Sequence, residues 1–209
     1  MGDPMTDAAA HAARMAKKKA VIDAAIARAD QEKGVLLVLT GNGKGKSSSA
    51  FGMVARALGH GMKVGVAQFI KGSSEQRGGC PATGEEAFFS SQPGVEWHVL
   101  GEGFTWDTQD LERDIATARR GWEVARRLLR DPDIGLVVLD ELTYLLSYGW
   151  LDTASVLADL AARPPMQHVV VTGRAALQAL LDAADTVSEI ADVKHAYRAG
   201  VKAQAGVDL

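Results

Sequence analysis

Val35-Leu-Leu-Val-Leu-Thr-Gly-Asn-Gly-Lys-Gly-Lys-Ser-Ser48 decides the fold. Val35 to Leu39 is an unbroken apolar run, the pattern of a strand buried on both faces of a parallel sheet. Gly41, Gly43 and Gly45 then alternate with Asn42 and Lys44, and Lys46, Ser47 and Ser48 follow. Beyond them the periodicity becomes helical, with Phe51, Val54, Ala55 and Leu58 predicted on one face. Strand, glycine-rich turn, Lys-Ser and helix together make the context of a phosphate-binding loop. Glycines let backbone N–H groups close around phosphate oxygens, and the helix N-terminus adds favourable partial charge. Lys46 is placed to reach phosphate, and the Ser47 hydroxyl to ligate Mg²⁺. The alternative is a glycine-rich turn with a helix cap. The loop is also a variant. The standard pattern has glycine five residues before Gly45, and here Thr40 stands there, so ordinary γ-phosphate chemistry does not follow from the motif.

The rest of the chain bounds the setting. Its 209 residues, 47% of them hydrophobic, can bury one substantial core. A net charge of −3 gives no general argument for nucleic acid or an anionic membrane as partner. No apolar stretch reaches transmembrane length, and the N-terminus lacks a hydrophobic signal core, so a cytoplasmic protein is expected. The single cysteine, Cys80, allows no internal disulfide and reads as an incidental reduced thiol in a loop.

In chain order, residues 1 to 7 read as a disordered start. Ala8 to Glu32 reads as a helix, alanine-rich with a narrow stripe of Met15, Ala20, Ile22 and Ile26 and a basic patch at Lys17 to Lys19. Residues 1–33 are therefore set apart as an N-terminal helical extension from a main domain, 34–209. Strands are predicted at Val64–Ile70, Val95–Leu100, Ile134–Leu139, His168–Thr172 and Thr186–Ile190. Residues 71 to 86, with several glycines and Pro81, read as a flexible loop, and His98 as a solvent-facing strand residue. A helix is predicted from Asp107 to Arg130 with a buried stripe of Leu111, Ile115, Ala118, Trp122, Ala125 and Leu129. Further helices are predicted at Leu151–Ala162 and up to Leu181.

This alternation predicts an α/β fold with a mostly parallel sheet and helices on both faces. Ligands of such sheets bind outside the carboxyl ends of the strands. That edge gathers residues 41–48, Gly101 to Thr108, Asp140-Glu141 and Gly173-Arg174. An apolar strand ending in Asp140 and Glu141 is the expected second half of a nucleoside triphosphate site, where carboxylates hold Mg²⁺ or its waters. Phe104 and Trp106, at the same edge, either close the core beneath a helix or offer a flat apolar surface to a large planar ligand.

Thr-Gly-Asn-Gly-Lys-Gly-Lys-Ser, Gly-Phe-Thr-Trp, Val-Val-Leu-Asp-Glu-Leu-Thr-Tyr, Val-Thr-Gly-Arg and the ending from Val193 to Asp208 stand in the order found in one enzyme family. From about Arg28 onward the chain resembles the ATP:corrinoid adenosyltransferases of the CobA/CobO/BtuR type. That resemblance implies a RecA-like P-loop fold, a homodimer, and transfer of the 5′-deoxyadenosyl group of ATP to the Co(I) centre of a corrinoid with release of triphosphate. It implies ATP lying in the loop in the reverse of its usual direction, bound by Gly41 to Ser48 and Arg174. Lys44, Lys46, Ser47 and Mg²⁺ would neutralise the leaving group, with Glu141 as metal ligand and Asp140 supporting it. Phe104 and Trp106 match the aromatics credited with displacing the lower axial ligand of cobalt. The N-terminal helix would cover the corrinoid, and a flavoprotein or reduced flavin would supply electrons. Which corrinoid is preferred does not follow from these motifs. Two other readings remain open at this point: a P-loop ATPase or kinase releasing ADP, and a RecA-like nucleotide-dependent module that binds DNA or scaffolds protein. The acidic balance, with basic residues concentrated only at Lys17 to Lys19, weighs against DNA.

Overall fold

The computed structural model describes residues 4–72, 83–101 and 110–208. Two compact units emerge, residues 1–33 and 34–209. The first is one helix, α1 (Pro4–Arg28). It begins inside the stretch read as disordered, with proline at the first helical position, where a missing N–H costs no hydrogen bond. Lys19 and Asp23 pair along its surface at 2.6 Å, and Met15, Val21, Ile22 and Ile26 are exposed.

The second unit is built on six parallel strands: β1 (Leu36–Thr40), β2 (Lys63–Gly72), β3 (Val95–Gly101), β4 (Ile134–Asp140), β5 (His168–Thr172) and β6 (Thr186–Glu189). Their order across the sheet is β3-β2-β4-β5-β1-β6. All pairings are parallel. Leu37 sits level with Val170 on one side and Thr186 on the other, which aligns the ends of β1, β5 and β6. The crossover from β1 to β2 passes over β5 and β4, so the carboxyl ends of β1, β5 and β4 lie side by side.

Apolar residues fill both faces, as unbroken hydrophobic strands require. On one face Leu39, Val66, Val138 and Val170 meet Phe51, Val54 and Ala57 of α2 (Lys46–Gly59), with Phe89 of α3 (Gly84–Phe89) completing the layer. On the other, Val38, Ala67, Leu139 and Val171 meet α4 (Leu111–Arg130), α5 (Leu142–Ser147), α6 (Thr153–Ala161) and α7 (Gln178–Ala183).

Several expectations shift. The buried face of α2 is Ala50, Phe51, Val54 and Ala57, and Ala55 is exposed. The run i, i+1, i+4, i+7 turns the helix slightly from the predicted stripe. Helix α3 begins within the expected loop and runs past its end, started by Thr83, whose hydroxyl accepts the Glu86 N–H at 3.3 Å. Helix α4 starts at Leu111 because Asp110 caps it, accepting the Arg113 N–H at 3.1 Å. Leu111 is thereby left exposed at the first turn. His98 is not simply solvent-facing: its Nε2 lies 2.7 Å from Glu96 and 3.2 Å from Arg127. Arg126 donates to Asp159 at 2.8 Å and Arg127 to Glu96, tying α4 to α6 and β3. Among the described residues no helix is long and apolar enough to cross a membrane.

Candidate functional site

The site is assembled from the segments leaving β1, β4, β5 and β6. After β1 the glycine loop turns sharply back toward β6. A Cβ on Gly41 would come within 2.5 Å of the Ile190 carbonyl oxygen, and one on Gly43 within 2.4 Å of that of Ala191. The Gly43 N–H donates to the Ile190 carbonyl at 2.7 Å, and Ile190 N–H to Thr40 at 2.8 Å. These two glycines are thus required by close backbone packing. Gly45 has another reason: its φ is 117°, left-handed, while a Cβ there would meet nothing within 4 Å. It frees the N-terminus of α2 to face outward.

Lys46, the first residue of α2, is buried and donates to the Gly43 carbonyl at 2.6 Å. Burial and then the Arg174 guanidinium lower its ammonium below the ordinary lysine value, against the opposing pull of Glu141 and Asp140. The same charges act on Glu141. Burial and then Asp140 push its carboxyl up to about 7, while Lys71, Lys46 and Arg174 pull the other way. Lys46, Glu141, Asp140, Arg174 and Lys71 therefore form one electrostatic cluster. Ser47 is half-buried; Asn42, Lys44 and Ser48 are exposed.

Asp140 is fully buried at the end of β4. Its oxygens accept Gln68 Nε2 at 3.0 Å and the Thr172 hydroxyl at 2.7 Å. Gln68 in turn accepts Trp97 Nε1 at 3.1 Å, and Trp97 stacks with Phe89 and tilts on Phe51, anchoring the chain of bonds in the core. The next residue, Glu141, turns into the left-handed region at φ 67°, its N–H donating to Thr172 Oγ1 at 3.0 Å. A non-glycine residue there is strained by roughly 1 kcal/mol or more, and the neighbouring bonds hold it. After β5, Gly173 has φ 136° and a Cβ would fall 2.0 Å from Thr143 Oγ1, which donates to the Arg174 carbonyl at 2.6 Å.

The structure thus brings Gly41 to Ser48, Asp140, Glu141 and Arg174 to one edge. Phe104, Trp106 and Cys80 lie outside the described residues. Four residues to which the sequence alone assigns no site role join it: Gln68, Lys71 and Thr172, which flank the carboxylates, and Asp208, whose carboxylate lies 2.5 Å from Lys44. The first three sit at the carboxyl ends of β2 and β5, which was their one legible signal.

Comparison with known proteins places the chain in one family. Residues 32–209 match the family model described as ATP:corrinoid adenosyltransferase BtuR/CobO/CobP, and residues 3–26 match Cob(I)alamin adenosyltransferase N terminal. The chain is 63% identical to the corrinoid adenosyltransferase of Pseudomonas aeruginosa, over 95% of both chains. It is 48% identical to corrinoid adenosyltransferase CobA of Salmonella typhimurium, over 93% of this chain and 95% of that one. The corrinoid adenosyltransferase of Escherichia coli K12 is 47% identical over the same shares.

Proposed function

The chain belongs to the ATP:corrinoid adenosyltransferase family, and from that membership we propose how its site moves the 5′-deoxyadenosyl group of ATP onto a corrinoid cobalt. It is a corrinoid adenosyltransferase, acting in cobalamin synthesis or salvage. The observation that carries the mechanism is the clustering of Lys46, Arg174 and Lys71 with the Asp140-Glu141 pair beside the glycine loop.

Co(I) carries an electron pair and no proton. It attacks the ribose 5′ carbon, the Co–C bond forms with that pair, and the C5′–O bond breaks with its electrons leaving on triphosphate. No general base is needed. The site's tasks are to position C5′ and to stabilise a polyanionic leaving group. Gly41 to Ser48 would bind the triphosphate with the outward-facing N-terminus of α2, and Lys44, Lys46 and Arg174 would take up the charge released.

The residues present fit Mg²⁺. Among the described residues no cluster of three or more His, Cys, Asp or Glu forms an all-protein cage, as suits a cation that shares its shell with phosphates. Glu141 has no described hydrogen-bond donor on its carboxylate, whereas both Asp140 oxygens are occupied. Glu141 and the Ser47 hydroxyl would hold the metal, and Asp140 would act from behind. When bound, Mg²⁺ would neutralise charge on the leaving oxygens.

Phe104 and Trp106 are proposed to exclude the lower cobalt ligand, residues 1–33 to cover the corrinoid, two copies to pair, and reduced flavin or a flavoprotein to supply the electron. Resemblance to the family supports each.

The test supplies ATP, Mg²⁺ and chemically generated Co(I) corrinoid. A light-sensitive Co–C absorption spectrum is expected. ATP consumption without it would return the protein to the P-loop hydrolases.

A further inference from the structure

The segment after β6 returns to the phosphate loop at both of its ends. It begins where Ile190 and Ala191 press on Gly41 and Gly43, and it finishes with Asp208 at 2.5 Å from the Lys44 ammonium. Between these contacts lies a cavity of about 240 Å³ lined by Lys44, Lys194, His195, Tyr197, Lys202 and Asp208. Among the described residues lining it, three ammonium groups thus meet one carboxylate. Among the described residues neither Lys194 nor Lys202 pairs with an acid.

That carboxylate is held in place. Asp208 Oδ2 accepts the Gln204 N–H at 3.0 Å, and Lys44, then that N–H, keep its carboxyl below the usual range, so it is anionic at neutral pH. His195 is oriented too. Its Nδ1 accepts the Tyr197 N–H at 3.2 Å, which leaves the neutral ring's proton on Nε2 as a donor. A cavity with surplus positive charge, fixed donors and an internal carboxylate suits an anion with several acceptor oxygens.

We propose that this cavity is a second phosphate subsite, in which the Asp208 carboxylate stands where the terminal phosphate of a polyphosphate chain binds. The proposal rests on the reading that triphosphate lies in residues 41–48. Lys44 belongs to both the loop and the cavity, so a chain held at Lys46 runs on toward Lys44. There two anions compete for one ammonium. Phosphate displaces Asp208 and gains Lys202 and His195.

The two sides of this competition have opposite signs. Asp208→Asn removes a competitor and should tighten inorganic triphosphate by about threefold or more; Lys202→Ala removes a donor and should weaken it by about three- to tenfold. Pyrophosphate, a shorter chain, should respond less to both. Calorimetry on the full chain with Mg²⁺ and each anion reads these values. Lys202→Gln serves as a second loss of charge, and melting temperatures confirm folding. Shifts in the same direction for Asp208→Asn and Lys202→Ala, or none in either, would overturn the subsite. So would equal effects on triphosphate and pyrophosphate. Lys46→Ala separates the layers. If it weakens triphosphate while the two tail variants are silent, only the subsite fails. If it changes nothing, the loop reading fails and the subsite with it.

Discussion

Thr172 donates its hydroxyl to Asp140 at 2.7 Å while accepting the Glu141 N–H at 3.0 Å. One side chain at the end of β5 thereby fixes both the buried carboxylate of β4 and the left-handed turn that presents its neighbour. The two acids are held differently as a result: among the described residues each Asp140 oxygen accepts a donor, and the Glu141 carboxylate accepts none.

Thr172→Val keeps the shape and removes both bonds. Leaving a buried carboxylate oxygen and an N–H unpaired should destabilise the protein by about 1–3 kcal/mol. Because Glu141 loses its fixed orientation, turnover should also fall about ten- to hundredfold, with a raised Mg²⁺ requirement. Thermal unfolding and Mg²⁺ titration of activity check the two effects. Lost stability with an unchanged Mg²⁺ requirement would make the network purely structural.

Glu141 gives a pH dependence of definite sign. Its carboxyl is raised from 4.5 to about 7. Between those values the unfolded chain has released the proton and the folded protein has kept it, so stability falls as pH rises through the window. Below it there is no penalty. Glu141→Gln should therefore leave stability unchanged in acid and raise it above neutrality, without metal, by at most about 3 kcal/mol. It should also remove the Mg²⁺ activation that strengthens as wild type ionises toward pH 7. Melting curves across that range decide, and a glutamine variant no more stable at about pH 8 would contradict the account.

Much of this site was legible from spacing. The apolar run at 36–39, the glycines and Lys-Ser, and an apolar strand ending in two acids each follow from local chemistry. Other parts depend on partners distant in sequence. Gly41 and Gly43 are conspicuous in a phosphate loop, yet the backbone they must admit is that of Ile190 and Ala191. Nothing in Gln68 or Thr172 announces a bond to Asp140 until β2, β4 and β5 are set side by side. On α2 Ala57 is buried and Ala55 exposed, a distinction the sequence hides because alanines carry almost no periodic signal. Leu111 fits the apolar periodicity of α4, yet the Asp110 cap puts it in the first turn, where it is exposed.

Variants at Phe104 and Trp106 test the proposed separation of reduction from alkyl transfer. If they exclude the lower ligand, Phe104→Ala and Trp106→Ala should cripple turnover from Co(II) with reduced flavin and spare it when Co(I) is supplied. Paramagnetic resonance should show four-coordinate Co(II) in the ATP-bound wild type alone. If the rings only fill core, Phe104→Ala should cost about 3–5 kcal/mol and damage both reactions equally.

Residues 1 to 27 lie outside the main unit, and the glycine loop is built wholly downstream. Their deletion should weaken corrinoid retention more than ATP binding. Calorimetry with each ligand distinguishes this from a structural brace, for which both would weaken alike.

The central claim is that the loop stabilises triphosphate as a leaving group rather than activating its γ-phosphorus. Phosphorus resonance spectra of the reaction of ATP with Co(I) corrinoid test this most directly, with Lys46→Ala alongside. The account predicts inorganic triphosphate in equal amount to the light-sensitive product, and a rate lower by about two to three decades in the variant. ADP with orthophosphate, or near-normal turnover of Lys46→Ala at saturating ATP and Mg²⁺, would contradict it.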